Sequence, residues 1–129
     1  MPAAKILVVE DEGLTALDLQ RKMEHWGYDV PTLAFSSKEA VTKAKELKPD
    51  LILMDIVLRG KGDGIDAAKE IKKHSDVPII YLTANGDEKT RKRAQDTEPL
   101  GFIIKPFQEN ELYQKIEKAL YLVREKKKM

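Results

Sequence analysis

The sequence predicts an α/β fold: a parallel sheet, doubly wound, with helices on both faces. Three observations carry this prediction. Short apolar runs alternate with amphipathic stretches over 129 residues, a length that suits one domain of about 100–200 residues. The apolar runs lack the period-two alternation of half-buried strands, which suits strands covered on both faces. The strand-then-helix unit recurs five times, and right-handed crossovers then lay the strands side by side between two helical layers.

The elements follow in chain order. Ile6-Leu7-Val8-Val9 reads as the first buried strand. Ala16, Leu19, Met23 and Trp26 recur at offsets of three, four and three, one face of a helix that Gly27 stops; Leu19, Met23 and Trp26 are expected in the core. Tyr28 to Ala34 is a weaker strand, and its Pro31 points to an edge. Ser36-Ser37-Lys38-Glu39 can form a capping box that opens the next helix, with Val41, Ala44 and Leu47 as its stripe. Leu51 to Met54 is the third strand, and Ile65, Ala68 and Ile71 stripe the third helix. Pro78 to Thr83 is the fourth strand. Asp87 to Gln95 is nearly all polar, a poor fourth helix that stops before Pro99. Gly101 to Lys105 is the last strand. Leu112, Ile116, Ala119 and Val123 stripe a final helix that frays into Lys126-Lys127-Lys128, a solvated tail. Residues 1–129 thus read as one domain, with a core from about 5 to 126 and no output domain.

Composition narrows the function. With 42% hydrophobic residues the chain can bury a core, so general disorder is excluded. The net charge of +1 argues against coating of nucleic acid or an anionic membrane. The absence of cysteine excludes a disulfide framework, a thiolate metal site and a Cys nucleophile. The longest apolar runs fall far short of the roughly 20 residues that span a bilayer. The apolar start is too short for a signal peptide and runs at once into acids, so a cytoplasmic protein without membrane insertion is expected.

In a doubly wound sheet the chemistry sits beyond the carboxyl ends of the strands. There the sequence places Glu10, Asp11 and Glu12 after the first strand, Asp55 after the third, Thr83 at the end of the fourth and Lys105-Pro106 at the end of the fifth. Carboxylates brought together disfavour each other's charge, and a divalent cation removes that penalty. Hard oxygen ligands suit Mg²⁺, or Mn²⁺, which keeps water positions open for an anion. Lys105 and Thr83 can then hold that anion. Such a rim suits phosphoryl transfer, with Asp55 as the carboxylate that faces both metal and ammonium. Glu12 is the acid expected to favour the positive end of the first helix.

Val9-Glu10-Asp11-Glu12, Met54-Asp55-Ile56, Asp63-Gly64, Leu82-Thr83-Ala84 and Lys105-Pro106-Phe107 together resemble the signature set of response-regulator receiver domains of two-component signalling. The resemblance runs from about Lys5 to about Lys126. It implies the flavodoxin-like (βα)5 three-layer sandwich with strand order 2-1-3-4-5. It implies phosphorylation of Asp55 by a sensor histidine kinase or a phosphotransfer protein. It implies metal coordination by Asp11, Asp55, the main-chain carbonyl of Val57 and, through water, Glu10. Thr83 and Lys105 would grip the phosphoryl oxygens, and Phe102 takes the place of the switch aromatic. It also implies a cis Lys105-Pro106 bond, self-phosphorylation and autodephosphorylation rather than turnover of a substrate, and an influence of Val57 and Asn85 on phosphoryl lifetime. The signalling surface would be the fourth helix, fifth strand and fifth helix, offered to a downstream effector protein or to a second copy of the chain. Passing the phosphoryl group on in a phosphorelay, or acting as a phosphorylation-independent adaptor, are the alternatives.

Two residues depart from the pattern. Arg59, within Arg59-Gly60-Lys61-Gly62, stands where proline is common, which makes this loop at the border of the site more flexible and more basic; it reads mainly as solvated surface, with recruitment of a phosphodonor by Arg59 or Lys61 as the alternative. Phe102 replaces the commoner tyrosine, so it has no hydroxyl to anchor it when exposed. His25 and His74 fall near helix ends, away from the rim, and carry no role. A haloacid-dehalogenase-type hydrolase would need Asp-x-Asp after the first strand, and an FMN binder a Ser/Thr/Gly-rich loop where this chain has acids. No P-loop motif occurs.

Overall fold

The computed structural model describes residues 3–84 and 86–127. Its elements run β1 (Ile6–Val9), α1 (Gly13–His25), β2 (Leu33–Ala34), α2 (Ser37–Leu47), β3 (Leu51–Asp55), α3 (Gly64–Lys72), β4 (Ile79–Thr83), α4 (Glu88–Gln95), β5 (Gly101–Ile104) and α5 (Glu109–Lys127). The strands form one parallel sheet in the order β2-β1-β3-β4-β5, the expected doubly wound topology.

The unbroken apolar runs have a direct physical reason. Successive side chains of a strand point to opposite faces, and here both faces are covered. Leu7, Ile52, Met54, Ile79 and Tyr81 pack with residues of α2, α3 and α4 in one core layer. Their neighbours Ile6, Val8, Leu51, Leu53, Ile80 and Leu82 pack with α1 and α5 in the other. Every residue of β1, β3 and β4 is buried. Burying each such aliphatic side chain contributes about 1.5–3 kcal/mol relative to exposure, so the central strands anchor the sheet.

The helices dock by the predicted stripes. Ala16, Leu19 and Met23 are buried on α1, Ile65, Ala68 and Ile71 on α3, and Leu112, Ile116 and Ala119 on α5. Trp26 departs from expectation: it is only partly buried and packs edge-on against Tyr113, with ring centroids 5.3 Å apart. At the start of α2, Ser36 Oγ accepts from the Glu39 N–H at 3.1 Å, but Glu39 returns its carboxylate to the Phe35 N–H at 2.7 Å, one residue short of a true box. The reciprocal box forms instead at α3, between Asp63 and Asp66.

Both edge strands differ from their sequence reading. β2 shrinks to Leu33–Ala34, with only an isolated bridge between Lys5 and Asp29 before it. The intervening Pro31 cannot donate to a ladder. β5 ends at Ile104, not Lys105, and is not covered on both faces: Ile104 is 42% exposed. The Lys105-Pro106 bond is cis. Among the described residues no helix is long and apolar enough to cross a membrane. The readings of Asn85 and Lys128 fall outside the described residues.

Candidate functional site

Parallel strands all end on one side, and the register fixes which ends are neighbours. Val9 pairs with Met54, Asp55 with Leu82, and Thr83 with Ile104. Glu10 therefore leaves β1 beside the last residue of β3, which is Asp55, and Lys105 leaves β5 one step beyond Thr83. The Lys105 N–H donates to the Thr83 carbonyl at 2.7 Å, which continues the pairing past the strand.

The side chains converge as this register requires. Lys105 Nζ donates to Asp55 Oδ2 at 2.5 Å and to Glu10 Oε2 at 3.3 Å. Asp55 Oδ1 accepts from the Val57 N–H at 3.1 Å, and Glu10 Oε1 from the Glu12 N–H at 3.2 Å. Asp11 Oδ2 accepts the Arg59 N–H at 2.8 Å. Glu10 and Asp55 are 3% and 5% exposed, so water screens their charges little. Burial pushes the Glu10 carboxyl up to about 7, the Asp55 carboxylate beside it pushes the same way, and Lys105 offsets this only in part. Burial works to lower the Lys105 ammonium, but Asp55 and Glu10 more than compensate and hold it above its ordinary value.

One carboxylate oxygen from each of Glu10, Asp11 and Asp55 lies within 4.8 Å of the others. All three donors are hard oxygens, with no sulfur or imidazole among them. That donor set fits Mg²⁺ or Mn²⁺ and disfavours softer metals.

Gly64 holds this rim in shape. A Cβ there would lie 2.1 Å from the Asp55 carbonyl oxygen and 2.9 Å from Met54 Cγ. Only glycine lets the Gly64 N–H reach the Ile56 carbonyl at 2.8 Å and seat α3 against the end of β3. Thr83 lies to the α4 side, where it lines a small pocket with Ile56, Gly86, Thr90, Arg91 and Phe102. Phe102 is half-buried, its ring 5.7 Å from that of Tyr81, and the Arg91 guanidinium stands 4.9 Å over its centroid.

The structure thus brings Glu10, Asp11, Asp55 and Lys105 together, with Thr83 and Phe102 beside them on the α4 side. Val57 enters through its N–H, and its side chain is 71% exposed. Glu12 sits at the N-cap of α1 without capping it, and accepts from Thr15 Oγ1 at 3.0 Å. His25 and His74 are exposed and away from the rim. Two contributors escaped the sequence. Arg59 was read at the border of the site, as solvated surface or a recruiter of the phosphodonor, but its contact with Asp11 was not foreseen. Arg93 forks from α4 onto the Asp63 and Asp66 carboxylates at 3.1 and 3.3 Å. The only local signal was the proline missing at Arg59; Arg93 had none, since its partners lie 30 and 27 residues away.

Comparison with known proteins agrees with this fold. The model of the response regulator receiver domain matches residues 6–117. The transcriptional regulatory protein PdtaR of Mycobacterium tuberculosis is 37% identical over 121 residues, which cover 94% of this chain and 58% of that protein. The phyllosphere-induced regulator PhyR of Methylorubrum extorquens is 38% identical over 120 residues, covering 92% of this chain and 44% of its own length. The chain spans about half the length of these curated relatives. Among solved structures, the signal receiver domain of a modulated diguanylate cyclase from Desulfovibrio desulfuricans superposes with a TM-score of 0.88 at 35% identity, over 96% of this chain and 98% of that one.

Proposed function

Since the chain belongs to the response regulator receiver domain family, we propose that it accepts a phosphoryl group on Asp55 in a Mg²⁺-dependent reaction. The donor is a sensor histidine kinase or a phosphotransfer protein, and the response is a change in the surface formed by α4, β5 and α5. One observation carries this reading. Lys105 Nζ bridges Asp55 and Glu10, while Asp11 completes a carboxylate cluster open to a hard cation.

In the reaction a carboxylate oxygen of Asp55 attacks the donor phosphorus in line. A new O–P bond makes an acyl phosphate, the bond from phosphorus to the donor breaks, and its electron pair leaves with the donor. A Mg²⁺ or Mn²⁺ ion held by Glu10, Asp11, Asp55 and the Val57 carbonyl would neutralise charge on the transferring group. The chain's own residues do the positioning. The Val57 N–H holds Asp55 Oδ1 and orients the carboxylate. The Lys105 ammonium follows the negative charge from the carboxylate to the phosphoryl oxygens, an electrostatic preorganisation that costs little at the moment of reaction.

The acyl phosphate carries roughly two negative charges at neutral pH. The Thr83 hydroxyl donates to a phosphoryl oxygen, and Phe102 fills the space that Thr83 leaves. α4 is the element free to respond, because Ala94 is its one buried residue. The output is a contact with a downstream effector protein, or a homodimer through α4, β5 and α5.

The test is uptake of labelled phosphoryl from a small phosphodonor with Mg²⁺. Asp55→Asn is expected to abolish labelling, and retained labelling removes Asp55 as acceptor. Thr83→Ala is expected to keep most labelling but lose any phosphorylation-dependent partner binding. Intact dependence in that variant contradicts the switch.

A further inference from the structure

The β3–α3 loop of this chain reaches the carboxylate cluster through Arg59. Asp11 Oδ2 accepts the Arg59 main-chain N–H at 2.8 Å, and the Arg59 Nε lies 3.6 Å from the same oxygen. The two residues are 48 apart in sequence, so the contact is tertiary and ties the loop to the end of β1. Proline at this position could not make the first bond, because it has no N–H.

Charge explains why the contact forms. The rim holds three carboxylates, and Lys105 is engaged with two of them, Glu10 and Asp55. The cation paired with Asp11 in this structure is Arg59. The Asp11 side chain is 15% exposed and that of Arg59 is 82% exposed, so the guanidinium stands on the solvent side of a mostly buried carboxylate. Gly60 and Gly62 of this loop adopt φ of 87° and 84°.

We infer that Arg59 is a positioning residue that acts as a resident counter-ion for Asp11, so that docking of the β3–α3 loop and loading of a divalent cation oppose each other. This rests on the metal-site reading above. In the metal-free protein the Arg59 contact holds the loop down and neutralises Asp11. When a divalent cation takes Asp11, that contact weakens and the guanidinium is released to the mouth of the site, where an anionic phosphodonor arrives. By linkage the effect is reciprocal: whatever loop docking subtracts from cation affinity, the cation subtracts from loop docking.

The expected size is small, because the guanidinium is well exposed. Exposed ion pairs are worth little, which translates into about a two- to fivefold change in affinity. Calorimetric Mg²⁺ titration of the full chain is the test. Arg59→Ala is expected to bind Mg²⁺ about two- to fivefold more tightly than the parent at low salt, and the gap is expected to close near 1 M salt, where charges are screened within about 3 Å. Arg59→Lys, which keeps the charge, is expected to stay near the parent. In the parent, the Arg59 amide resonance is expected to shift with the same midpoint as the heat of binding. Equal affinities of parent and Arg59→Ala, or an Arg59 amide unmoved by saturating Mg²⁺, overturn the inference alone. Failure of the parent and Arg59→Ala alike to bind Mg²⁺ overturns the metal-site reading and the inference with it.

Discussion

Glu10 is the residue where the site's electrostatics can be read most directly. Its carboxyl, raised to about 7 by burial and by Asp55, keeps in the folded state a proton that the unfolded chain releases near 4.5. The folded state therefore binds more protons between these values, and stability falls as pH rises through the window and is level above it. In the presence of a chelator, the melting temperature is expected to drop from about pH 4.5 to about pH 7, with the slope removed in Glu10→Gln. Divalent binding needs ionised carboxylates, so Mg²⁺ affinity is expected to rise over the same window. A melting profile with the same slope in Glu10→Gln contradicts this assignment. Asp63 works the other way at lower pH. Burial alone would raise its carboxyl, but the Asp66 N–H and Arg93 outweigh that and hold it below its ordinary value of 3.8. Its contribution is present above that ordinary value and is lost as pH falls through the lower folded one, outside the Glu10 window.

Gly64 sets a second expectation at this scale. Gly64→Ala puts a methyl 2.1 Å from the Asp55 carbonyl oxygen, and backbone cannot give way as a flexible side chain can. A loss of at least about 1–3 kcal/mol in denaturant unfolding is expected, and a neutral result would show that the β3–α3 junction is looser than described. The Asp63-Gly64 pair was visible in the sequence, but the reason for it was not, because the clash comes from the end of another element. Glu10, Asp11, Asp55, Thr83 and Lys105 were legible for the opposite reason. Each stands immediately after or at the end of an apolar run, and one topological rule assembles them. The Arg59 contact was illegible because Asp11 lies 48 residues away, and nothing local to either residue names the other.

α4 is the element whose physics differs most from the rest. The other helices dock through apolar stripes, whereas α4 (EKTRKRAQ) buries only Ala94. Its position depends on polar anchors. Asp87 Oδ1 caps its first turn through the Thr90 N–H at 2.7 Å, Arg93 forks onto Asp63 and Asp66, and Arg91 covers Phe102. A cation over an aromatic face at an exposed site is worth about 0.5–1 kcal/mol, and an exposed ion pair less. These sums are small enough for one new phosphoryl group to outweigh. Arg93→Ala is expected to speed amide exchange in α4 severalfold while leaving β1, β3 and β4 protected. Unchanged exchange in α4 would mean that the Arg93 fork does not hold the helix. The weakness of α4 was legible in its composition, but its tertiary anchors were not, since Asp63, Asp66 and Phe102 lie at α3 and β5. β5 misled in the reverse direction. Gly-Phe-Ile-Ile reads as a strand covered on both faces, yet Ile104 is 42% exposed, because an edge position leaves part of the strand uncovered.

At the scale of the whole molecule, function follows from topology. Three buried central strands carry two core layers, and their common ends present acids from β1 and β3 to the ammonium that follows β5. No single element contains the site, so its chemistry exists only when the sheet is assembled in the order β2-β1-β3-β4-β5. The repeating strand-helix pattern made the doubly wound parallel sheet predictable, and the family resemblance implied its order. Pro31 also made the edge place of β2 legible, but not its shortening to Leu33–Ala34. The most direct test of the account is to locate the phosphoryl group. The protein is incubated with a small phosphodonor and Mg²⁺, the acyl phosphate is reduced with borohydride, and its peptides are weighed. The account predicts homoserine at position 55 alone, and none when a chelator replaces Mg²⁺. Reduction at any other carboxylate, none at all, or the same yield with chelator would contradict it.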